Sequence, residues 1–164
     1  MSHQNCILRR QDIEFIAFVC KNVLINSARP TPKSEAVSNR MRGIGTKRTA
    51  VEKRARSVLR LQKIKYKGNV KSLPGSPDLV IPAFNLAIFV NGCFWHGCPR
   101  CYTAPKHNRK WWNQKISNNR RRDRRVIRKL RNQGYSVLNL WEHDSDERMK
   151  ILIRGAINRQ LLKQ

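Results

Sequence analysis

The chain reads as a small mixed α/β domain with helices on the faces of a sheet, and three features predict it. Two short apolar runs, Leu79-Val80-Ile81 and Leu86-Ala87-Ile88-Phe89-Val90, are separated only by Pro82-Ala83-Phe84-Asn85, as neighbouring strands joined by a tight turn are. Residues 135–141 alternate well enough for a further strand. Stretches with helical spacing stand before, between and after these runs. The order is helix, two or three strands, helix, strand, helix, in a chain of 164 residues, long enough to bury a core.

Residues 1–34 form an N-terminal extension of unassigned role, and residues 35–164 form the domain. Within the extension, Ile13, Ile16, Ala17 and Cys20 have helical spacing, and Arg29-Pro30-Thr31-Pro32-Lys33 reads as a linker because each proline biases its predecessor away from helix. A short basic helix is expected over 35–42, ended by Gly43 and Gly45. Thr49-Ala50-Val51-Glu52 has the spacing of a capping box, which starts a helix with Val51, Ala55, Val58, Leu59 and Gln62 on one face. After the two strands comes a loop rich in Cys, Gly and Pro, from Gly92 to about Lys110. A helical stretch through Trp112 and Ile116 follows, then a very basic helix over about 119–133. Its apolar stripe is Val126, Ile127 and Leu130, and Gly134 is its stop. Asp144, Asp146 and Glu147 suit the N-terminus of a last helix over 149–162.

Charge narrows the partners. The chain carries 35 Lys and Arg against 10 Asp and Glu, a formal net charge of +25, spread from Arg9 to Lys163. Such a field favours a polyanion, nucleic acid before anionic membrane. The most apolar stretch, 13–25, contains Glu14 and Lys21 and is shorter than the ~20 residues a spanning helix needs, so no membrane span is expected. Asp12 and Glu14 also break any signal-peptide pattern. An intracellular protein with reduced thiols is expected, and five cysteines, an odd number, suit a metal site better than a disulfide framework.

Between Lys53 and Trp141 only two acids occur, Asp78 and Asp123. A carboxylate weakens a groove built for a polyanion unless it holds a metal or moves a proton. Asp78 stands where the loop Leu73-Pro74-Gly75-Ser76-Pro77 enters a strand. From there it can point off the sheet end, as Mg²⁺ sites with few protein ligands require; the plain alternative is an aspartate closing a turn. For Asp123, spacing alone favours a surface ion pair with an arginine at i±4 over the orientation of a histidine. Glu52 already has a use in its capping box.

Cys93, Cys98 and Cys101 fall within nine residues, together with His96. Their spacing suits one tetrahedral zinc, with His96, His107 or His143 as the fourth ligand; the expected set is Cys93, Cys98, Cys101 and His143, since that histidine follows a strand that can return beside the loop. A Cys-x-x-Cys redox pair is the alternative. Phe94, Trp95, Trp111 and Trp112 are apolar rings in a basic setting, suited either to core packing or to insertion between base steps.

Several blocks together carry a resemblance. They are Ser38-Asn39-Arg40-Met41-Arg42, Thr49-Ala50-Val51-Glu52-Lys53, Leu73-Pro74-Gly75-Ser76-Pro77-Asp78, the run from Ile88 through Gly92-Cys93-Phe94-Trp95-His96-Gly97-Cys98-Pro99-Arg100-Cys101, the run from Lys115 to Arg125, and Gly134 to His143. In this order, over about residues 36–143, the sequence resembles the very-short-patch-repair (Vsr) DNA endonucleases. The resemblance implies a restriction-endonuclease-like core, a mixed sheet flanked by helices with a structural zinc site. It implies an enzyme that nicks duplex DNA at or near a T:G mismatch in DNA repair, with Mg²⁺ as the catalytic cofactor.

Position by position, Asp78 resembles the Mg²⁺ ligand and Val90 the residue lending its backbone carbonyl to the same ion. His96 resembles the general base, Asp123 its carboxylate partner and Glu52 an accessory acid. Phe94, Trp95 and Trp112 resemble aromatics that wedge into DNA, and Cys93, Cys98, Cys101 and His143 occupy structural zinc positions. Asn91 departs from the pattern, standing where mismatch-repair members carry a second catalytic histidine. Cys98 and His143 stand where those members have His and Cys. Homing endonucleases related to this family make sequence-specific cleavage the second expectation, and a zinc-pinned DNA-binding module without catalysis the third. The expected partner is double-stranded DNA, bound by a monomer.

Overall fold

The computed structural model describes residues 31–42 and 49–162; the expected helix in the extension, Arg29-Pro30 and the Gly43 and Gly45 stop lie outside them. The elements are α1 (Glu35–Arg42), α2 (Ala50–Leu61), β1 (Lys67–Gly68), β2 (Leu79–Ile81), a 3-10 turn (Pro82–Phe84), β3 (Leu86–Asn91), α3 (Arg109–Asn132), β4 (Ser136–Trp141) and α4 (Asp146–Leu161). The sheet order is β1-β2-β3-β4, antiparallel except for the parallel pair β3–β4. That parallel pair needs a crossover, and α3 supplies it.

Alternation along the strands explains the layers. Leu79, Ile81, Leu86, Ile88, Leu138 and Leu140 join Ala55, Val58 and Leu59 of α2 and Met149, Ile153 and Ala156 of α4 in one core. The intervening residues face the other way, where Phe89, Asn91, Asn139 and Trp141 border a cleft together with α3. The expected hairpin is present, and its turn closes with Asn85 in the left-handed region, which asparagine tolerates. The capping box is present too. Glu52 N donates to Thr49 Oγ1 at 3.3 Å and Thr49 N to Glu52 Oε1 at 3.4 Å. Gly134, at φ +82°, ends α3 as expected: its N–H donates to Arg131 O and that of Tyr135 to Leu130 O, both 3.0 Å, the two bonds of a Schellman motif.

Several boundaries differ from expectation. The helical stretch and the basic helix are one helix of 24 residues, α3. Of the stripe expected on it only Leu130 is buried, alongside Ile116, because Val126 and Ile127 stand half-buried on the cleft wall. β1, an exposed edge strand of two residues, is the third of the two or three strands expected here, at a place the sequence did not mark. Gln62 caps α2, and its side chain accepts from Arg154 Nε at 2.8 Å rather than joining the core. The last helix begins at Asp146, so Asp146 and Glu147 do lie in its first turn, but Asp144 does not. That carboxylate is buried and accepts from Trp141 N at 2.8 Å, closing the turn after β4. None of the described helices is long and apolar enough to cross a membrane.

Gly75 positions the loop that delivers Asp78. Its φ is +74°, and a Cβ there would lie 2.4 Å from Val126 Cγ1 on α3. Gly75→Ala is expected to destabilise the fold by about 1–3 kcal/mol through overpacking and backbone strain. Urea unfolding checks it, and an unchanged midpoint would contradict this account of the contact.

Candidate active site and metal centre

Antiparallel pairing of β2 with β3 puts the start of β2 beside the end of β3, and the parallel pairing of β4 brings its end there as well. Asp78, Val90, Asn91, Trp141 and His143 therefore gather at one edge of the sheet. Asp78 precedes β2, and its Oδ2 accepts from Val90 N at 2.8 Å, fixing the carboxylate against the backbone of the expected second Mg²⁺ ligand. Burial pushes the Asp78 carboxyl above its ordinary range. The Val90 N–H opposes the shift, the Glu52 carboxylate adds to it, and Arg56 and His96 oppose it. Glu52 is buried at the start of α2, with Arg56 Nη2 4.0 Å from its Oε2. Arg56 was not anticipated from the sequence. Its Nε and Nη2 are enclosed without a hydrogen-bond partner, and its Nη1 lies close over Gly68, where a Cβ would meet it at 2.9 Å.

His96 lies on the loop after β3, and its Nδ1 is 2.7 Å from Asp123 Oδ2. A proton on Nδ1 in that bond leaves Nε2 as an acceptor. Asp123 thus orients a histidine, where spacing alone favoured a surface ion pair at i±4. Its arginine contact is the adjacent Arg122, at 3.2 Å. The same stretch of α3 grips the loop on both sides of His96. Asn119 Nδ2 donates to Trp95 O at 2.8 Å, and Arg120 Nε donates to Gly97 O at 3.1 Å, with its Nη2 on the same oxygen. Neither residue stood out in the sequence, since both sit in a run that reads as polyanion-binding charge.

His96, Asp123 and Asn91 line a cleft of about 620 Å³ with Phe89, Asn139, Trp141 and Arg120, Arg122 and Arg124 of α3. Asp78 and Glu52 adjoin this group without lining the cleft. Phe94, Trp95 and Trp112 are half-buried and pack on one another: ring centroids are 5.3 Å apart for Phe94–Trp95, 5.0 Å for Phe94–Trp112 and 5.9 Å for Trp95–Trp112, with Trp111 4.8 Å from Trp112.

The second cluster is Cys93, Cys98, Cys101 and His143, whose ligand atoms all lie within 4.8 Å of one another. His143 Nδ1 is 3.1 Å from Cys93 Sγ, 3.7 Å from Cys98 Sγ and 3.4 Å from Cys101 Sγ. A tetrahedral zinc with ordinary bond lengths sets sulfur and nitrogen ligands ~3.6 Å apart, so the set could bind one zinc. Thiols this close resist ionising together: hydrogen bonding with Cys93 and Cys98 is the main reason the Cys101 thiol is pushed up to about 12. Glu142 Oε2 accepts from Cys93 N at 3.0 Å, and Asp144 Oδ1 stands 3.7 Å from His143 Nε2, a carboxylate behind the ligand histidine. His96 is outside the cluster and turned to Asp123.

Residues 32–103 match the family described as DNA mismatch endonuclease Vsr. Over 107 residues the chain is 42% identical to the DNA mismatch endonuclease Vsr of Escherichia coli (strain K12), an alignment spanning 64% of this chain and 68% of that protein. The chain belongs to the Vsr family of DNA endonucleases. It is also 39% identical over 104 residues to the type II nicking enzyme V.XorIIP of Xanthomonas oryzae pv. oryzae (62% of this chain, 76% of that protein). With the type II nicking enzyme V.NmeAIP of Neisseria meningitidis serogroup A it shares 33% identity over 118 residues (71% and 82%). Vsr membership carries the restriction-endonuclease-like core expected from the motifs, and the mixed sheet between helices agrees with it.

Proposed function

We propose that this Vsr-family endonuclease is Mg²⁺-dependent and nicks duplex DNA at or beside a T:G mismatch. The observation that carries the reading is the His96–Asp123 pair, 2.7 Å apart, set in an arginine-walled cleft beside the half-buried Asp78. Asp78 and the Val90 carbonyl would hold Mg²⁺, with Glu52 in support. One Asp78 oxygen is occupied by Val90 N–H and the other is left for a cation, a sparse donor set that suits an ion keeping most of its waters. When bound, Mg²⁺ supplies charge stabilisation at the scissile phosphate and the leaving oxygen.

The chain's own groups do the rest. His96 Nε2 takes a proton from the attacking water, and Asp123 holds the imidazole in the tautomer that allows it and steadies the cation that forms. Asn91, on the cleft floor, can hydrogen-bond a phosphate oxygen but cannot add charge. The arginines of α3 neutralise the backbone. Phe94, Trp95 and Trp112 act as the wedge beside the target base pair, and their mutual packing at the edge of the site supports that role. Cys93, Cys98, Cys101 and His143 hold a structural zinc, and the protein acts as a monomer on intracellular DNA.

The test is nicking of a T:G duplex and its T:A parent, with Mg²⁺ and with EDTA. The expected result is metal-dependent nicking, absent in Asp78→Asn, and at least about tenfold faster on T:G, some 1.4 kcal/mol of discrimination. Equal rates on the two duplexes would replace the mismatch reading with sequence-specific cleavage. Tight binding without cutting on every substrate would leave a DNA-binding module.

A further inference from the structure

We infer that one face of α3 carries a second binding site for DNA backbone phosphate, next to the catalytic cleft but separate from it. A cavity of about 330 Å³ is lined by Tyr102, Asn113, Ile116, Ser117, Arg120 and Arg124. Asn113, Ser117, Arg120 and Arg124 follow one another at intervals of four, three and four residues, so they form a single stripe along the helix, about 16 Å from end to end. Every polar side chain in the lining offers a hydrogen-bond donor, and no carboxylate is among them. The Tyr102 hydroxyl is enclosed without a hydrogen-bond partner, an uncompensated cost that a bound oxyanion or its water would remove. Arg120 lies over the Tyr102 ring, 5.7 Å from its centroid.

Placement fits a duplex already held at His96. Arg120 and Arg124 border both this cavity and the cleft, so they form the ridge between the two. Phe94, which packs on Trp95 and Trp112, has its ring centroid 5.9 Å from that of Tyr102. Two guanidinium groups, three neutral side chains able to donate and no carboxylate, in an open groove, suit the negative charge of a phosphodiester. The site therefore reads no sequence; it fixes the register of the flanking strand while the aromatic cluster and His96 address the target.

The inference rests on DNA as the partner and not on cleavage, so it is tested by binding in EDTA. Wild type, Ser117→Asp and, as a charge-matched control on α4, Asn158→Asp are titrated with a fluorescent duplex across a salt series. Both positions are exposed. An aspartate at 117 faces Arg120 one turn away and takes the phosphate's place. Ser117→Asp is expected to weaken binding at least about fivefold and to make the slope of log K against log salt shallower by about 0.9, one lost phosphate contact. Asn158→Asp should change affinity less than about twofold, a long-range field effect only. A slope and affinity matching the control would overturn the second site alone, as would weaker binding with an unchanged slope. A wild type that fails to bind duplex would overturn the site together with the functional reading beneath it.

Discussion

Replacing His96 by alanine is expected to lower the single-turnover nicking rate by about 10²–10⁴-fold, the usual contribution of a positioned general base, while leaving duplex affinity nearly unchanged. The geometry makes the expectation specific. His96 has one nitrogen committed to Asp123 and the other left for a proton, and the loop on either side is tied to α3 through Trp95 O and Gly97 O. On the proposed mechanism, removing the imidazole deletes the base without releasing the loop. Asp123→Asn keeps the size of the side chain but loses the charge that steadies a protonated imidazole, so its rate should fall between wild type and His96→Ala. Because Asp123 acts through His96, the double variant His96→Ala/Asp123→Asn should be no slower than His96→Ala alone. Rates measured at saturating DNA, with affinities from anisotropy, check all three. A His96→Ala rate within about tenfold of wild type would remove His96 from the role of base.

What the sequence made visible follows from how locally each feature is specified. β2 and β3 were legible because both are apolar and the turn between them is written in Pro82 and Asn85. The Cys93, Cys98 and Cys101 set was legible because a metal demands its ligands at short spacing. β1 was not, since its two exposed residues are strand only through pairing with Leu79 and Val80. α3 looked like two pieces because its apolar period lapses between Ile116 and Val126, where Arg120, Arg122, Asp123 and Arg124 line the cleft instead of packing on a core. Asp144 was assigned to a helix dipole by its position and is held instead by the turn it closes. The His96–Asp123 pairing spans 27 residues, and local spacing pointed elsewhere; only the resemblance of the whole block order suggested it. Arg56 was hidden for a related reason: its contact with Glu52 is one turn along α2, but Gly68 meets it only once α2 lies beside the edge strand.

Removal of the metal from the cysteine–histidine cluster is expected to cost stability and activity together. Cys93, Cys98 and Cys101 belong to the loop that carries His96, whereas His143 follows β4, fifty residues beyond Cys93. One ion would thus close a long loop and pin the segment that carries His96. Part of the binding free energy of such a site is folding free energy, so Cys101→Ser or exhaustive chelation should lower Tm by about 10 °C or more. Nicking should fall at least about tenfold even at a temperature where the protein stays folded, because His96 then rests on its α3 tethers alone. Metal analysis should find one zinc per chain, and Co²⁺ in its place should give the strong visible absorption of tetrahedral thiolate coordination. Added Mg²⁺ should not restore the loss, since a hard ion prefers oxygen to thiolate. The expected pattern separates the two metals by function: EDTA titrated against Mg²⁺ stops nicking at once with Tm unchanged, whereas stripping the cluster shifts both. A cluster-stripped protein with wild-type Tm and rate would show that the loop is held by Asn119, Arg120 and Asp123 without need of an ion.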